Sequence, residues 1–313
     1  MKLVRYGQPG AERPGLIDGD GQLRDLSAHV PDIAGAELDP ARLASLAARD
    51  LKQLPHVAAP YRLGPCVGNV GKIVCVGINY RALAQHPGVV LPDAPMIFLK
   101  AASALCGPDD PLVLPDDDAE VDWEVELGVV IGRTIRQGSP HPAMSHVAGY
   151  CIINDMSARR WQFGDAARTP GHNGGQWDKG KNGDGFAPLG PWLVTADEVG
   201  DPHALDLWLT VDDTIMQSAT TADLHFPVPA LIAEISRYMR LDPGDVIATG
   251  TPPGSAFLRP APQPYLRPGQ RLRAGISGLG VQSRSVRQAQ RLADAPGAQE
   301  DKERKVTHAL RPH

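Results

Sequence analysis

Apolar residues along this chain come in short runs, each closed by Gly, Pro or Asp, the pattern of strands joined by turns rather than of long helices. Such runs predict strands at 3–6, 71–77, 96–100, 111–114 and 150–154, and again at 207–211, 214–216 and 246–249. The Asp-Gly pairs of GLIDGDGQLRDLS, starting at Gly15, predict a hairpin turn, and the Asp212-Asp213 pair predicts another between its flanking strands. Two stretches switch to helical spacing. Asp39 as cap, Pro40 at the first helical position, and Leu43, Leu46, Ala47 and Leu51 behind them predict one amphipathic helix. The best-patterned helix is expected over 229–241, with Leu231, Ile232, Ile235, Tyr238 and Met239 as core contacts.

The rest of the pattern is organised around 122–162. If 122–127 is a strand, Asp122, Glu124 and Glu126 project to one face, and Trp123, Val125 and Leu127 to the other. A solvated acidic edge would explain that alternation as well as a binding site does. Asp155 shifts the balance. The apolar run Tyr150-Cys151-Ile152-Ile153-Asn154 delivers it just before Ser157, which is expected to cap a helix at 158–163. A carboxylate at such a strand end points toward a cleft, and Glu124, Glu126 and Asp155 together form an all-oxygen set suited to a hard divalent cation such as Mg²⁺.

Composition narrows the classes. The 313 residues suit one large domain with a small appendage, and the 33 glycines and 30 prolines spread along the chain favour a β-rich architecture. Residues 1–70 read as a small N-terminal domain ending in a linker from Pro55 to Pro65, 71–287 as the main domain, and 288–313 as a solvated polar tail. A net charge of −5 with a pI near 6.0 offers no basic field for nucleic acid. Apolar runs fall well short of the ~20 residues that span a bilayer, and the N-terminus lacks a signal peptide's apolar core, so a soluble, cytoplasmic protein is expected. Cys66, Cys75, Cys106 and Cys151 are dispersed without a CxxC pair and read as thiols with no metal or redox role. GNVGK at 68–72 is too short for a phosphate-binding loop. In the Gly-rich run near Lys179, Lys181 and Asp184, Lys181 is either a surface ammonium or a residue held against a ligand. Thr251, at a strand tip before two prolines, is rigidly placed to present a hydroxyl.

Six phrases stand in order: VGINY at 76–80, FLKAASALCGPDDPL at 98–112, DWEVELGVVIG at 122–132, VAGYCIINDMSARRWQ at 147–162, KGKNGDGFAPLGPW at 179–192 and LDPGDVIATGTPPG at 241–254. Together the chain from Met1 to Arg287 resembles the fumarylacetoacetate hydrolase superfamily. The resemblance implies a mixed, β-rich α/β fold: a β-sandwich or β-roll catalytic domain behind a small N-terminal domain, generally a homodimer, holding Mg²⁺ or Mn²⁺. It implies metal ligation by Glu124, Glu126 and Asp155, a catalytic role for Lys181, and contacts from Gln162 and Thr251 to a small oxo-acid substrate. Tyr80 and Arg159, in the same phrases, join them as candidate substrate contacts.

One departure bears on mechanism. Hydrolytic members of the family follow the NY pair with a histidine that activates water and a glutamate that orients it. Here Leu83 takes the histidine position and His86 the glutamate position, and leucine cannot take a proton. His86 is the candidate replacement base, with His172 in the Gly-rich loop a fainter one. The resulting expectation is a divalent-metal-dependent hydrolase cleaving a C–C bond in an acylpyruvate-like 2-oxo or 1,3-dicarbonyl acid. A decarboxylase or tautomerase using the same metal site without activated water is the alternative, and a catalytically silent metal-binding relative is a third reading.

Overall fold

The computed structural model describes residues 1–49, 53–115, 117–164 and 175–289. In chain order the first strands are β1 (Lys2–Tyr6), β2 (Arg13–Ile17), β3 (Leu23–Asp25), β4 (Ile73–Gly77), β5 (Met96–Lys100) and β6 (Leu105–Cys106). They continue as β7 (Leu112–Leu114), β8 (Val121–Asp122), β9 (Val125–Ile131), β10 (Val147–Asn154), β11 (Ser157–Ala158) and β12 (Ala187–Pro188). The chain closes with β13 (Leu193–Thr195), β14 (Asp206–Val211), β15 (Thr214–Thr220), β16 (Val246–Ala248), β17 (Arg271–Ile276) and β18 (Gly280–Gln288). Helices are short: α1 (Pro40–Ala47), α2 (Pro140–Ala143), α3 (Arg159–Phe163), α4 (Trp177–Lys181), α5 (Ala196–Val199) and α6 (Val228–Tyr238).

Nine strands form one open sheet in the order β3-β2-β1-β13-β10-β9-β16-β4-β5, antiparallel except for the β16–β4 pair. Five form a second, β15-β14-β17-β18-β7. The second sheet lies on β9 and β10 through β14, β17 and β18, and α1 and α5 also pack against β10. That is why VELGVVI and VAGYCIIN read as nearly continuous apolar runs rather than alternating ones, and every residue of both strands is buried. The result is a strand-rich mixed α/β fold with open sheets. Residues 1–70 supply β1–β3 and α1, and β1 pairs antiparallel with β13, Leu3 opposite Leu193.

Local expectations fare unevenly. Asp39 does cap α1, accepting from the Ala41 N–H at 2.8 Å, while Leu51 lies outside the described residues. The last helix ends at Tyr238 rather than 241, and Tyr238 is 62% exposed, not a core contact. Ser157 caps nothing: it pairs with Asp122 in the β11–β8 ladder, and its hydroxyl donates to the Asp155 carbonyl at 2.9 Å. The acidic strand is broken at Trp123–Glu124. There the side chain of Asn154 accepts the Glu124 N–H at 2.8 Å in place of a ladder bond. Of the expected tail, the described part is Gln288, at the end of β18, and Ala289.

Candidate active site

Antiparallel pairing places the start of β9 beside the end of β10, with Val125 opposite Asn154. Glu124, just before β9, and Asp155, just after β10, are therefore neighbours, and the Asp155 N–H donates to the Glu124 carbonyl at 2.9 Å. β16 runs antiparallel to β9 on its other side and parallel to β4, so the C-terminal ends of β10, β16 and β4 meet at one edge of the sheet. Loops leaving those ends build the site.

The loops are shaped to do it. Gly250, after β16, has φ +102, and its N–H donates to Glu126 Oε2 at 2.7 Å. A Cβ there would stand 2.8 Å from the Asn79 Cβ and 3.0 Å from the Val76 carbonyl oxygen. Ile78, after β4, has φ +52, a region where a β-branched residue is strained. Asn79 holds the strained turn down. Its amide donates to the Thr249 carbonyl at 2.7 Å and the Phe226 carbonyl at 3.1 Å, and its side-chain oxygen accepts the Phe226 N–H at 2.8 Å.

Oxygen atoms of Glu124, Glu126 and Asp155 lie within 4.8 Å of one another, and all three residues are buried. Around them the ammonium of Lys181 bridges Glu124 Oε2 and Asp155 Oδ2, 2.6 Å from each. Lys100 pairs with Asp155 Oδ1 at 2.9 Å and donates to the carbonyls of Met156 and Lys181. The Arg159 guanidinium reaches Asp122 at 2.8 Å, Glu124, and the side-chain oxygen of Gln162 at 2.9 Å. Among the described residues, four carboxylates are buried here against three cations, an excess of one negative charge. The imbalance falls on Glu126. Burial pushes its pKa well above the ordinary 4.5, and the charges of Asp155 and Glu124 push the same way. At Asp155, burial is outweighed by Lys100 and Lys181, which hold the carboxyl at about 2. Burial also opposes the Lys181 charge, but Asp155 and Glu124 outweigh it and raise its pKa above the ordinary 10.5.

This donor set fits a divalent cation. The three carboxylates supply hard oxygen ligands, an ammonium already bridges two of them as a cation, and the excess negative charge calls for one more. Glu124, Glu126 and Asp155 are the residues that would hold it.

Glu124, Glu126, Asp155, Arg159, Gln162, Lys181 and Thr251, all predicted from sequence, line one cavity of about 230 Å³. Thr251 is already engaged, its hydroxyl donating to the Val125 carbonyl at 3.0 Å and accepting from Gln217 at 2.8 Å. Gln162 has a loose end: its buried Nε2 has no hydrogen-bond partner among the described residues. Tyr80 and His86 do not line the cavity. Tyr80 is wholly buried, with its hydroxyl unpartnered among the described residues and its pKa raised by that burial. His86 turns Nε2 to the Leu258 carbonyl at 2.6 Å and Nδ1 toward the Pro87 carbonyl at 3.2 Å. Leu83 does line the cavity. His172 lies outside the described residues.

Sequence reasoning passed over Lys100 and the aromatic wall of Phe98, Phe163, Trp177 and Phe257. The period of β5 held a signal. Phe98 and Lys100 fall on one face of the strand, but a lysine at a strand end reads as exposed until a buried carboxylate is known to await it.

Comparison with known proteins fits this geometry. A Burkholderia multivorans protein with a provisional hydrolase name is 51% identical over 290 residues, covering 92% of this chain and all of its own. The solved maleylpyruvate hydrolase of Sphingobium, in complex with manganese(II) and pyruvate, superposes with a TM-score of 0.74 at 33% identity, over 93% of this chain and 100% of that one. The 5-carboxymethyl-2-hydroxymuconate delta-isomerase of Mycobacterium smegmatis gives a TM-score of 0.68 at 30% identity, with coverage of 93% and 100%. With residues 72–287 matching the model of the fumarylacetoacetate (FAA) hydrolase C-terminal domain, the chain belongs to the fumarylacetoacetate hydrolase family.

Proposed function

We propose that this protein is a divalent-metal-dependent enzyme acting on a small 2-oxo acid through an enolate, using Mg²⁺ or Mn²⁺ held by Glu124, Glu126 and Asp155. The observation that carries the reading is the convergence of that triad, Lys181 and the unpartnered amide of Gln162 on one apolar-walled cavity. A bound divalent cation would polarise the carbonyl of a 2-oxo acid and stabilise the charge of its enolate. Gln162 Nε2 is a donor in need of an oxygen, and the substrate's carboxylate or oxo group supplies one. Lys181, once a cation takes over Glu124 and Asp155, is free to turn its ammonium to the enolate oxygen or to deliver a proton to the enolate carbon.

Between the reactions such a site can run, decarboxylation or tautomerisation is favoured over hydrolysis. Hydrolysis needs a base on the water, and Leu83 offers none. Both nitrogens of His86 face backbone carbonyls, so neither presents a lone pair to the cavity. Hydrolysis is retained as the second reading because the manganese- and pyruvate-bound neighbour is a maleylpyruvate hydrolase. Turnover of oxaloacetate and acylpyruvates with Mg²⁺ or Mn²⁺ in ¹⁸O-water decides between them. The favoured reading expects CO₂ release or keto–enol interconversion by wild type, unchanged in His86→Ala. It also expects acylpyruvate cleavage, with label in the product carboxylate, to appear only in Leu83→His. Labelled cleavage by wild type that vanishes in His86→Ala would establish the hydrolase instead.

A further inference from the structure

The placement of aromatic side chains says something about the far end of the substrate. Aromatic residues are only 5% of this chain, yet three of its 5 phenylalanines, with Trp177, line the one cavity that holds the acidic triad. Phe98 and Trp177 sit with ring centroids 4.9 Å apart, Phe163 stacks on Phe257 at 5.1 Å, and Phe163 meets Trp177 edge-on at 6.5 Å. Leu83, Val89 and Leu258 extend the same wall.

The cavity thus lines its charged groups with hydrocarbon: Lys181 lies 5.1 Å from the ring centroid of Phe98, and Arg159 5.3 Å from that of Phe257. Among the described lining residues the cations are Arg159 and Lys181, and both are committed. Arg159 is held by Asp122, Glu124 and Gln162, and Lys181 by Glu124 and Asp155 or, once a metal takes those carboxylates, by the oxo-acid head of the substrate. If the triad's cation and Gln162 take the 2-oxo acid head, a second carboxylate beyond it would be desolvated against phenyl and alkyl groups with no uncommitted counter-charge among the described residues. An uncharged ring or branched alkyl group would fill the same space with edge and face contacts.

Resting on the oxo-acid reading above, we propose that the substrate carries an uncharged hydrocarbon substituent, an aryl ring foremost, and that the aromatic wall rejects 2-oxo dicarboxylates longer than oxaloacetate, such as 2-oxoglutarate, whose second carboxylate would reach it. Titration calorimetry of the full chain saturated with Mn²⁺, using pyruvate, phenylpyruvate and 2-oxoglutarate, tests this without relying on turnover. Phenylpyruvate should bind about tenfold or more tightly than pyruvate. 2-Oxoglutarate should bind no better than pyruvate. Val89 is half-buried at the wall, so Val89→Arg supplies the missing cation at little risk to folding; it should raise 2-oxoglutarate binding about tenfold relative to phenylpyruvate. Preference of wild type for 2-oxoglutarate over phenylpyruvate would overturn the proposal, as would an unchanged ratio in a folded Val89→Arg. Absence of Mn²⁺-dependent binding for all three acids, pyruvate included, is a different result: it overturns the oxo-acid reading itself, and this inference falls with it.

Discussion

Glu126 is the residue whose charge the fold tolerates least. It is 2% exposed, it faces two other carboxylates, and among the described residues its compensating hydrogen bond comes from a backbone N–H. Because its folded pKa lies above the unfolded value near 4.5, its contribution to stability is fully present below that pH and is lost as pH rises through the folded pKa. Metal-free wild type should therefore be less stable at pH 7 than Glu126→Gln, with the gap closing toward pH 4.5; urea midpoints across that range check it. The same variant should bind Mn²⁺ more than about a hundredfold more weakly, since even outer-shell partners are worth ten- to a hundredfold. A variant that keeps stoichiometric metal would refute the ligand assignment. Asp155 has the opposite sign. Held at about 2, it contributes stability that is present above its ordinary 3.8 and lost as pH falls through 2. The convergence of the three carboxylates was legible in the sequence from the strand-end position of Asp155, though the alternation expected over 122–127 is not what places Glu124, since the strand breaks there. Lys100 and the aromatic wall were not, because what buries them comes from α3, α4 and the loop at 251–258, far away in the chain.

Strands were largely legible because their turns are written in Gly, Pro and Asp. The failures came where a side chain replaces a ladder bond, as Asn154 does at the break between β8 and β9. Asn79 plays a comparable part for β4 and β16. One of its hydrogen bonds ties the end of β4 to Thr249 after β16 and two tie it to Phe226 before α6, and together they hold Ile78 in its strained conformation. Asn79→Ala leaves a buried N–H and two carbonyls without their partners, so it should cost roughly 2–4 kcal/mol in denaturant unfolding. It should also weaken Mn²⁺ binding, since Gly250 then no longer fixes Glu126. Asn79→Asp, of the same size and able to accept but not donate, should recover little. Loss of stability with unchanged metal affinity would show that the turn supports the fold without positioning the site.

At the scale of the whole molecule, the question is whether residues 1–70 fold apart from the rest. Composition suggested a boundary, since the chain from Pro55 to Pro65 is rich in turn formers. Backbone pairing argues for mechanical continuity: β1 lies between β2 and β13 within one sheet, and β13 pairs in turn with β10, the strand that delivers Asp155. The seam is also tied outside the ladder. Arg62 grips Asp110 with two hydrogen bonds of 2.7 and 2.6 Å, and the N-terminal ammonium donates to Thr195 Oγ1 at 2.6 Å. Leu3 and Val4 are wholly buried, so removing β1 would leave an unpaired edge at β13 and expose apolar surface on both sides of the seam. Such a structure should unfold as one unit. Calorimetry of the metal-free protein should give a single transition whose calorimetric and van't Hoff enthalpies agree. A chain starting at Gly71 should aggregate or lose cooperative melting. Two resolved transitions, or a soluble 71–289 fragment that still binds Mn²⁺ with full affinity, would mean instead that β1–β3 only lean on a catalytic domain complete without them.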